Sequence, residues 1–187
     1  LILSPIIVAA QKTWDAGGDG INWNSANNWN PNGVPAATDV VLLNTNTTFT
    51  IFNVPTQNIG KLQVTGTTNV TLKPNTSGNR TLTVTTAATD AILIDAGATL
   101  TIAGRDNGSN DRRLTLTTSN TTGLEAAING TIKVALDVAG QQNTYGVFTK
   151  GGANAVIRMN STATYIHEVN GSAIPIAIWN DAALCNI

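Results

Sequence analysis

Charge is scarce in this chain: only 11% of the 187 residues are Asp, Glu, Lys or Arg, and the formal net charge is −1. No basic field exists of the kind that nucleic acid or an anionic membrane surface requires, so neither is expected as a partner. A single cysteine, Cys185, excludes an intramolecular disulfide framework, and with it any reading of redox compartment from cysteine usage. No amphipathic helical stretch is found after residue 11, which leaves strands to build the core. The length suits one domain with a continuous core and is too short for two generous ones.

Asn, Thr, Ala and Gly dominate instead. Thr and Val favour strands, and Asn and Gly favour the corners between them. Residues 91–104, AILIDAGATLTIAG, place two strands of alternating residues on either side of an Asp-Ala-Gly corner, with Ile92 and Ile94 on one face of the first strand and Leu100 and Ile102 on one face of the second. The unit recurs as LQVTGTTNVTL over 62–72 and, shortened, as AAINGTIKV over 126–134. With Val64, Ile94 and Ile128 as equivalents, the steps are about 30 and 34 residues, the range of stacked repeats.

Strands are predicted over residues 40–44, 48–52, 61–65, 70–73, 81–85, 91–94, 99–103, 114–118, 126–128, 131–136, 146–150, 155–159 and 162–167. Hairpins would join many such strands by two-residue Asn-Gly turns, whereas the connections here vary in length, as the corners of a solenoid do. Grouped in threes, residues 61–85 form one coil and 91–118 the next. The expected fold is therefore all-β, a right-handed parallel β-helix with about three strands per coil, and the alternative is a β-sandwich. In the stack, Val64 should lie on Ile94 and Ile94 on Ile128, Val70 and Leu72 on Leu100 and Ile102, and these on Ile132 and Val134. Leu82 and Val84 should meet Leu114 and Leu116. Thr83 and Thr115 should be outer neighbours, as should Thr71, Thr101 and Lys133.

Residues 1–10, LILSPIIVAA, form an apolar run in which Val8 and Ala10 occupy the −3 and −1 positions of a signal-peptidase site. They are read as the end of a secretory signal peptide, with mature protein beginning at Gln11; an apolar first strand is the other reading. Ten residues are too few for a membrane span.

Residues 13–43 carry Trp14, Gly20, Asn22-Trp23, Asn28-Trp29, Pro31, Val34-Pro35 and Asp39-Val40-Val41. This series resembles the motif that opens β-helical surface proteins of Gram-negative bacteria, including autotransporter-like passengers and large secreted proteins of the Bacteroidetes. Ile21 departs from the Gly-Asn usual there. Near the other end, Tyr165, His167, Gly171, Ile174-Pro175, Ala177, Trp179, Cys185 and Ile187 resemble a segment that in such proteins precedes further modules, with Ala183-Leu184 in place of the usual Ser/Thr. The resemblance implies an N-terminal piece of a larger exported protein of the type IX secretion kind, located at the outer cell surface. Its parts would be residues 1–10 from a signal peptide, 11–39 a cap, 40–167 the β-helix and 168–187 the start of a link to a further module.

Physical reasoning gives the Trp-rich segment a role of its own, because a solenoid needs its first coil covered to hide apolar surface and strand edges. Indole rings suit that cap, with their N–H groups on backbone carbonyls. In the second reading Trp23 and Trp29 are exposed and stack on sugar rings.

Chemistry is harder to find. His167 and Glu168 would fall on opposite faces of one strand, so they would not converge on a substrate with Arg158 upstream. Cys185 has no basic partner nearby in sequence to activate it. Asp90, Asp95 and Asp137 are scattered and form no acidic row like that of β-helical pectin lyases and polygalacturonases. In residues 105–113, RDNGSNDRR, Asp106, Asn110 and Asp111 lack calcium-loop spacing, and Arg105, Arg112 and Arg113 offset the carboxylates, so a solvated loop is expected. Thr81, Thr83, Thr85, Thr99, Thr101, Thr115 and Thr117 form Thr-x-Thr pairs like those on ice-binding solenoids, though Lys133 and Arg113 fall at equivalent positions.

The expected function is a non-enzymatic structural or adhesin module, a β-helical stalk exported to the cell surface. A carbohydrate-binding or polysaccharide-degrading protein is the alternative, and an ice-binding solenoid a minor one. No cofactor, metal or catalytic group is expected. Partners would be extracellular glycans or other cell-surface components, with no nucleic acid, no membrane insertion after signal cleavage, and a monomeric module.

Overall fold

The computed structural model describes residues 9–106, 111–137 and 144–187. Residues 1–8 of the segment expected to end a signal peptide, Val8 included, lie outside them, as does Asn110.

Among the described residues the fold is all-β, with a single 3-10 turn at Ala26–Asn28. Three parallel sheets carry nearly all the strands. The first contains Gln11–Trp14, Val40–Leu43, Lys61–Val64, Ile92–Ile94, Glu125–Ile128, Val156–Met159 and Ile178–Trp179. The second contains Thr48–Val54, Asn69–Pro74, Thr99–Ala103, Thr131–Ala135, Thr164–His167 and Leu184–Asn186. The third contains Gln57–Ile59, Arg80–Val84, Leu114–Thr118 and Gly146–Lys150. From Val40 to His167 the chain visits first, second and third sheet in rotation, and each inner strand pairs with its equivalents one turn before and after; Ile178–Trp179 and Leu184–Asn186 then add to the first and second sheets alone. Such parallel, turn-on-turn pairing is compatible with a β-helix or solenoid. It is not the hairpin-built antiparallel pairing of a sandwich.

Register is set by the inward columns. In the first sheet Leu43, Val64, Ile94, Ile128 and Met159 lie successively opposite one another. In the second, Phe49, Val70, Leu100, Ile132 and Tyr165 form one column and Ile51, Leu72, Ile102 and Val134 the next. Thr71, Thr101 and Lys133 align on the outside. The third sheet departs from expectation by two residues: Leu82 lies opposite Leu116 and Val84 opposite Thr118, while Leu114 faces Arg80. Thr83 is accordingly beside Thr117 and Thr81 beside Thr115. A slip of two keeps every side chain on its proper face, so hydrophobic alternation forbids a slip of one and is blind to a slip of two.

Residues 57–59 also form a strand, which gives the third sheet its first member and completes the turn that begins at Val40. The apolar side chains of the three sheets merge into one cluster running from Trp14 to Val169.

Corners differ sharply in length. Between first and second sheets four residues intervene at 44–47, 65–68, 95–98, 160–163 and 180–183, and two at 129–130. There the corner backbone also pairs turn on turn, as in Asp95 N–H to Val64 C=O at 3.0 Å and Asn160 N–H to Ile128 C=O at 2.9 Å. Asn160 donates its amide to Asn129 at 2.8 Å, and Asn180 donates to Asn160 at 3.1 Å, a ladder of three amides along the edge. Gly130 is required in the two-residue corner, because a Cβ there would stand 2.1 Å from the Asp95 carbonyl oxygen. Between second and third sheets the connections grow along the chain, with two residues at 55–56, five at 75–79 and ten each at 104–113 and 136–145.

Ile94 and Thr101 test this arrangement. Ile94 is fully buried, and Ile94→Ala should lower stability by about 2–5 kcal/mol. Thr101→Lys should cost less than ~1 kcal/mol, through like-charge contact with the adjacent Lys133. Urea denaturation monitored by circular dichroism measures both; equal losses would contradict the inward and outward assignment.

Candidate functional site

Three regions of this scaffold carry side chains with more than a packing role. The first is the Trp-rich end. Gln11–Trp14 adds in parallel to Val40–Leu43, and Trp29–Asn30 closes that edge in the antiparallel sense. Residues 21–23 bridge the second sheet at Phe52, with Trp23 N–H to Phe52 C=O at 2.9 Å and Phe52 N–H to Ile21 C=O at 2.8 Å. Trp14 meets Trp29 edge-on at 4.9 Å between ring centroids, and Trp23 meets Trp29 at 5.0 Å.

Trp23 and Trp29 are both 0% exposed. The sugar-stacking role considered for them is therefore corrected: neither ring presents a face to solvent, because each fills the end of the apolar cluster. Trp29 Nε1–H donates to the Trp23 carbonyl at 2.8 Å. Trp23 Nε1 has no hydrogen-bond partner among the described residues.

Asn28 organises the polar side of this end. Fully buried, it uses its whole amide: Oδ1 accepts from Gly18 N–H at 3.0 Å and Gly20 N–H at 2.9 Å, and Nδ2 donates to Asp19 at 2.8 Å and to the Asn22 carbonyl at 2.9 Å. Asp19 accepts from the Asn22 side chain and from Ile21 and Asn22 N–H. These bonds, the Asn22 amide first, hold its carboxyl well below the usual carboxylate range. Asp39 ties the entry, accepting from Ala10 N–H and Ala36 N–H.

The second region is the strand Thr164–His167 together with the chain end beyond it. His167 points inward, where Nδ1 lies 2.8 Å from the Tyr165 hydroxyl. Burial, and then the neighbouring Cys185, push the Tyr165 phenol well above its ordinary range. Glu168 is exposed and pairs with Lys133 at 2.7 Å, so the two do not converge, and Arg158 is engaged by Glu125 at 2.7 Å, which raises its pKa. Cys185 is free and exposed. Ile176, Ile178, Trp179, Leu184 and Ile187 of the same chain end are also exposed.

The acidic residues stay apart. Asp90 pairs with Lys61 at 2.6 Å, Asp95 accepts from Gly66 N–H, and Asp137 pairs with Lys73. Among the described residues no group of three His, Cys, Asp or Glu is placed to hold a metal. On the outer face of the third sheet Thr81 and Thr115 form one row, ended by Val147, and Thr83, Thr117 and Thr149 another. On the second sheet Lys133 lies opposite Thr101 and ends the row of Thr71 and Thr101, whereas Arg113 precedes its strand and stands outside the rows of the third sheet.

The third region is the corner bearing the long connections between second and third sheets. Where a plain loop is expected over residues 105–113, Arg105–Asp106 and Asp111–Arg112 instead pair antiparallel. Around them stand Phe52, Lys73, Arg80, Arg113 and Tyr145. The Arg105 guanidinium lies 4.8 Å from the Phe52 ring centroid and that of Arg113 lies 4.7 Å from Tyr145. Sequence reasoning misses this cluster because its members are far apart in the chain and meet only through turn length.

No helix among the described residues is long and apolar enough to cross a membrane. Comparison with family models, with curated proteins and with solved structures finds no match in any of the three.

Two outcomes check the Trp-rich end. Trp23→Phe and Trp29→Phe remove the same volume from buried sites, but only the second removes a hydrogen bond. Trp29→Phe should therefore cost about 1–2 kcal/mol more in urea unfolding, and the reverse order would contradict the assignment. Because the folded pKa of Asp19 lies below its unfolded value of about 3.9, its contribution is complete above that value and is lost as pH falls toward the folded pKa. The melting-temperature advantage of the wild type over Asp19→Asn should thus be largest near pH 7 and shrink below pH 4.

Proposed function

We propose that this chain is a right-handed parallel β-helix with about three strands per turn, serving as a non-enzymatic stalk or adhesin module at the outer surface of a Gram-negative bacterium. The observation that carries the reading is the stack itself: rungs paired in parallel, turn on turn, over one continuous apolar cluster, with the Trp-rich end closed. A stack of this kind converts chain length into stiff axial length. It leaves few unpaired backbone groups along its sides for proteases to engage. The resemblance of the Trp14–Val41 series to the opening of secreted β-helical proteins supports the surface location and an exported form beginning at Gln11.

The polysaccharide-degrading alternative gains no support from His167, Glu168 or the three aspartates, each of which is engaged elsewhere. Glycan binding without turnover is the part of that alternative compatible with the stalk reading.

An antibody raised against the purified chain should label intact cells of the organism that makes it, and exported protein should sequence from Gln11. Labelling only after lysis would sink the surface assignment. Release of reducing ends from a panel of polysaccharides would sink the non-enzymatic one.

A further inference from the structure

Pairing of charge singles out one corner of the molecule. Lys61, Lys73, Lys133 and Arg158 each meet a carboxylate. Lys12 and Lys150 direct their ammonium groups to backbone carbonyls, of Pro31 and Asn32 and of Ala155. Arg80, Arg105 and Arg113 have no carboxylate partner among the described residues, and all three stand where the chain passes from second to third sheet. The corner carries Lys73, Arg80, Arg105, Arg112 and Arg113 against Asp106, Asp111 and Asp137, a formal +2. The chain totals −1, which leaves −3 for everything else.

The three guanidiniums are held by neutral groups. Arg80 Nη2 donates to Ser77 Oγ at 2.6 Å and Nη1 to the Asn79 carbonyl at 3.2 Å. Arg105 Nη1 donates to Asn53 Oδ1 at 2.9 Å and stacks over Phe52. Arg113 lies over Tyr145. Ring faces and amide oxygens orient a guanidinium without cancelling its charge, and each keeps N–H groups to spare. Arg80 N–H donates to the Arg113 carbonyl at 2.9 Å, so these two residues sit on successive turns, about 4.8 Å apart along the stack.

We propose that this corner binds an acidic polysaccharide, its uronate carboxylates meeting the forks of Arg80, Arg105 and Arg113. Planar carboxylates suit guanidinium forks. The cations are distributed over successive turns, so a polymer that repeats its carboxylate gains from several of them at once, whereas a single small anion meets one. Nucleic acid is disfavoured because the remaining surface is negative and the ring faces at the corner are turned to guanidiniums. The inference rests on the stalk reading only for where the glycan is met.

The test titrates the purified 187-residue chain with polygalacturonate, using neutral dextran and poly(U) for comparison, at about 50 and about 200 mM NaCl. Polygalacturonate should bind and dextran should not, and affinity should fall roughly ten-fold between the two salt concentrations, as release of counterions from a few charges predicts. Arg80→Gln with Arg113→Gln should weaken binding at least ten-fold at the same melting temperature; Arg80→Lys with Arg113→Lys should bind at an intermediate level. Lys12→Gln, at the Trp-rich end, should change nothing. If the double Gln variant is misfolded by circular dichroism, Arg105→Gln alone, whose side chain meets the neutral Asn53 and Phe52, should weaken binding several-fold. Absence of binding, equal binding by the folded Gln variant, or equal binding of poly(U) would overturn the proposal. None of these results touches surface labelling of cells, so the stalk reading stands or falls separately.

Discussion

Each inner strand in this protein must satisfy two neighbours at once, the equivalent strand one turn before and the one after, through parallel hydrogen bonds at a fixed spacing of about 4.8 Å. Everything else depends on that constraint. A strand paired on both sides has its alternation of faces dictated, because a slip of one residue would turn Ile94 or Leu100 to solvent and bring Thr101 or Thr99 into the core. Leu62, Ile92, Ala126 and Ile157 differ in volume yet occupy one column, so small and large side chains share the filling of the interior. Successive turns differ in length, and since the rungs cannot stretch, the difference is displaced into corners. The first-to-second corner is itself locked by turn-on-turn backbone bonds and by the Asn129–Asn160–Asn180 amides. Extra chain therefore collects mainly at the second-to-third corner.

The same constraint makes the ends unlike the middle. At the first turn, pairing that would propagate is stopped by Trp29–Asn30 running antiparallel and by a glycine-rich loop whose shape is set by polar bonds. Asn28 is buried without loss because all four hydrogen-bonding positions of its amide are filled, and Asp19 supports it while staying ionised. The indole rings then cover the core with apolar area. At the opposite end the last strands, Ile178–Trp179 and Leu184–Asn186, are exposed, with isoleucines around them. Here the cysteine column-mate of Tyr165 reaches the surface, whereas inside the stack the same position holds Ile132 and Leu100.

Much of this architecture is legible in the sequence because alternation and Gly corners are local signals. The columns through Val64, Leu100 and Leu72 emerge directly from lining up three similar segments. Three features are not legible. The strand Gln57–Ile59 has one apolar residue and comes just after a proline, so nothing in its pattern distinguishes it from a corner. The two-residue offset of Leu82 against Leu116 leaves the alternation unchanged, and only the length absorbed between Ala103 and Leu114 decides it. The fate of Trp23 and Trp29 depends on whether a surface exists for them to cover, a property of the assembled stack that no window of sequence contains.

The arginine corner is illegible for a further reason, and it joins the scaffold to its use. Arg80, Arg105 and Arg113 are dispersed among ordinary strand residues, and sequence counts them merely as part of a low, balanced charge total. Folding divides that total. Cations that rise from outer strand faces, such as Lys61, Lys133 and Arg158, find carboxylates on the same rung or the next, which a regular lattice of neighbours makes easy. Corners between second and third sheets have no such lattice, so Arg80, Arg105 and Arg113 settle on Ser77, Asn53, Phe52 and Tyr145 instead. A scaffold that pairs the cations of its strand faces with carboxylates, and leaves Arg80, Arg105 and Arg113 without one, sets those three guanidiniums along one edge at little cost to the core beneath it.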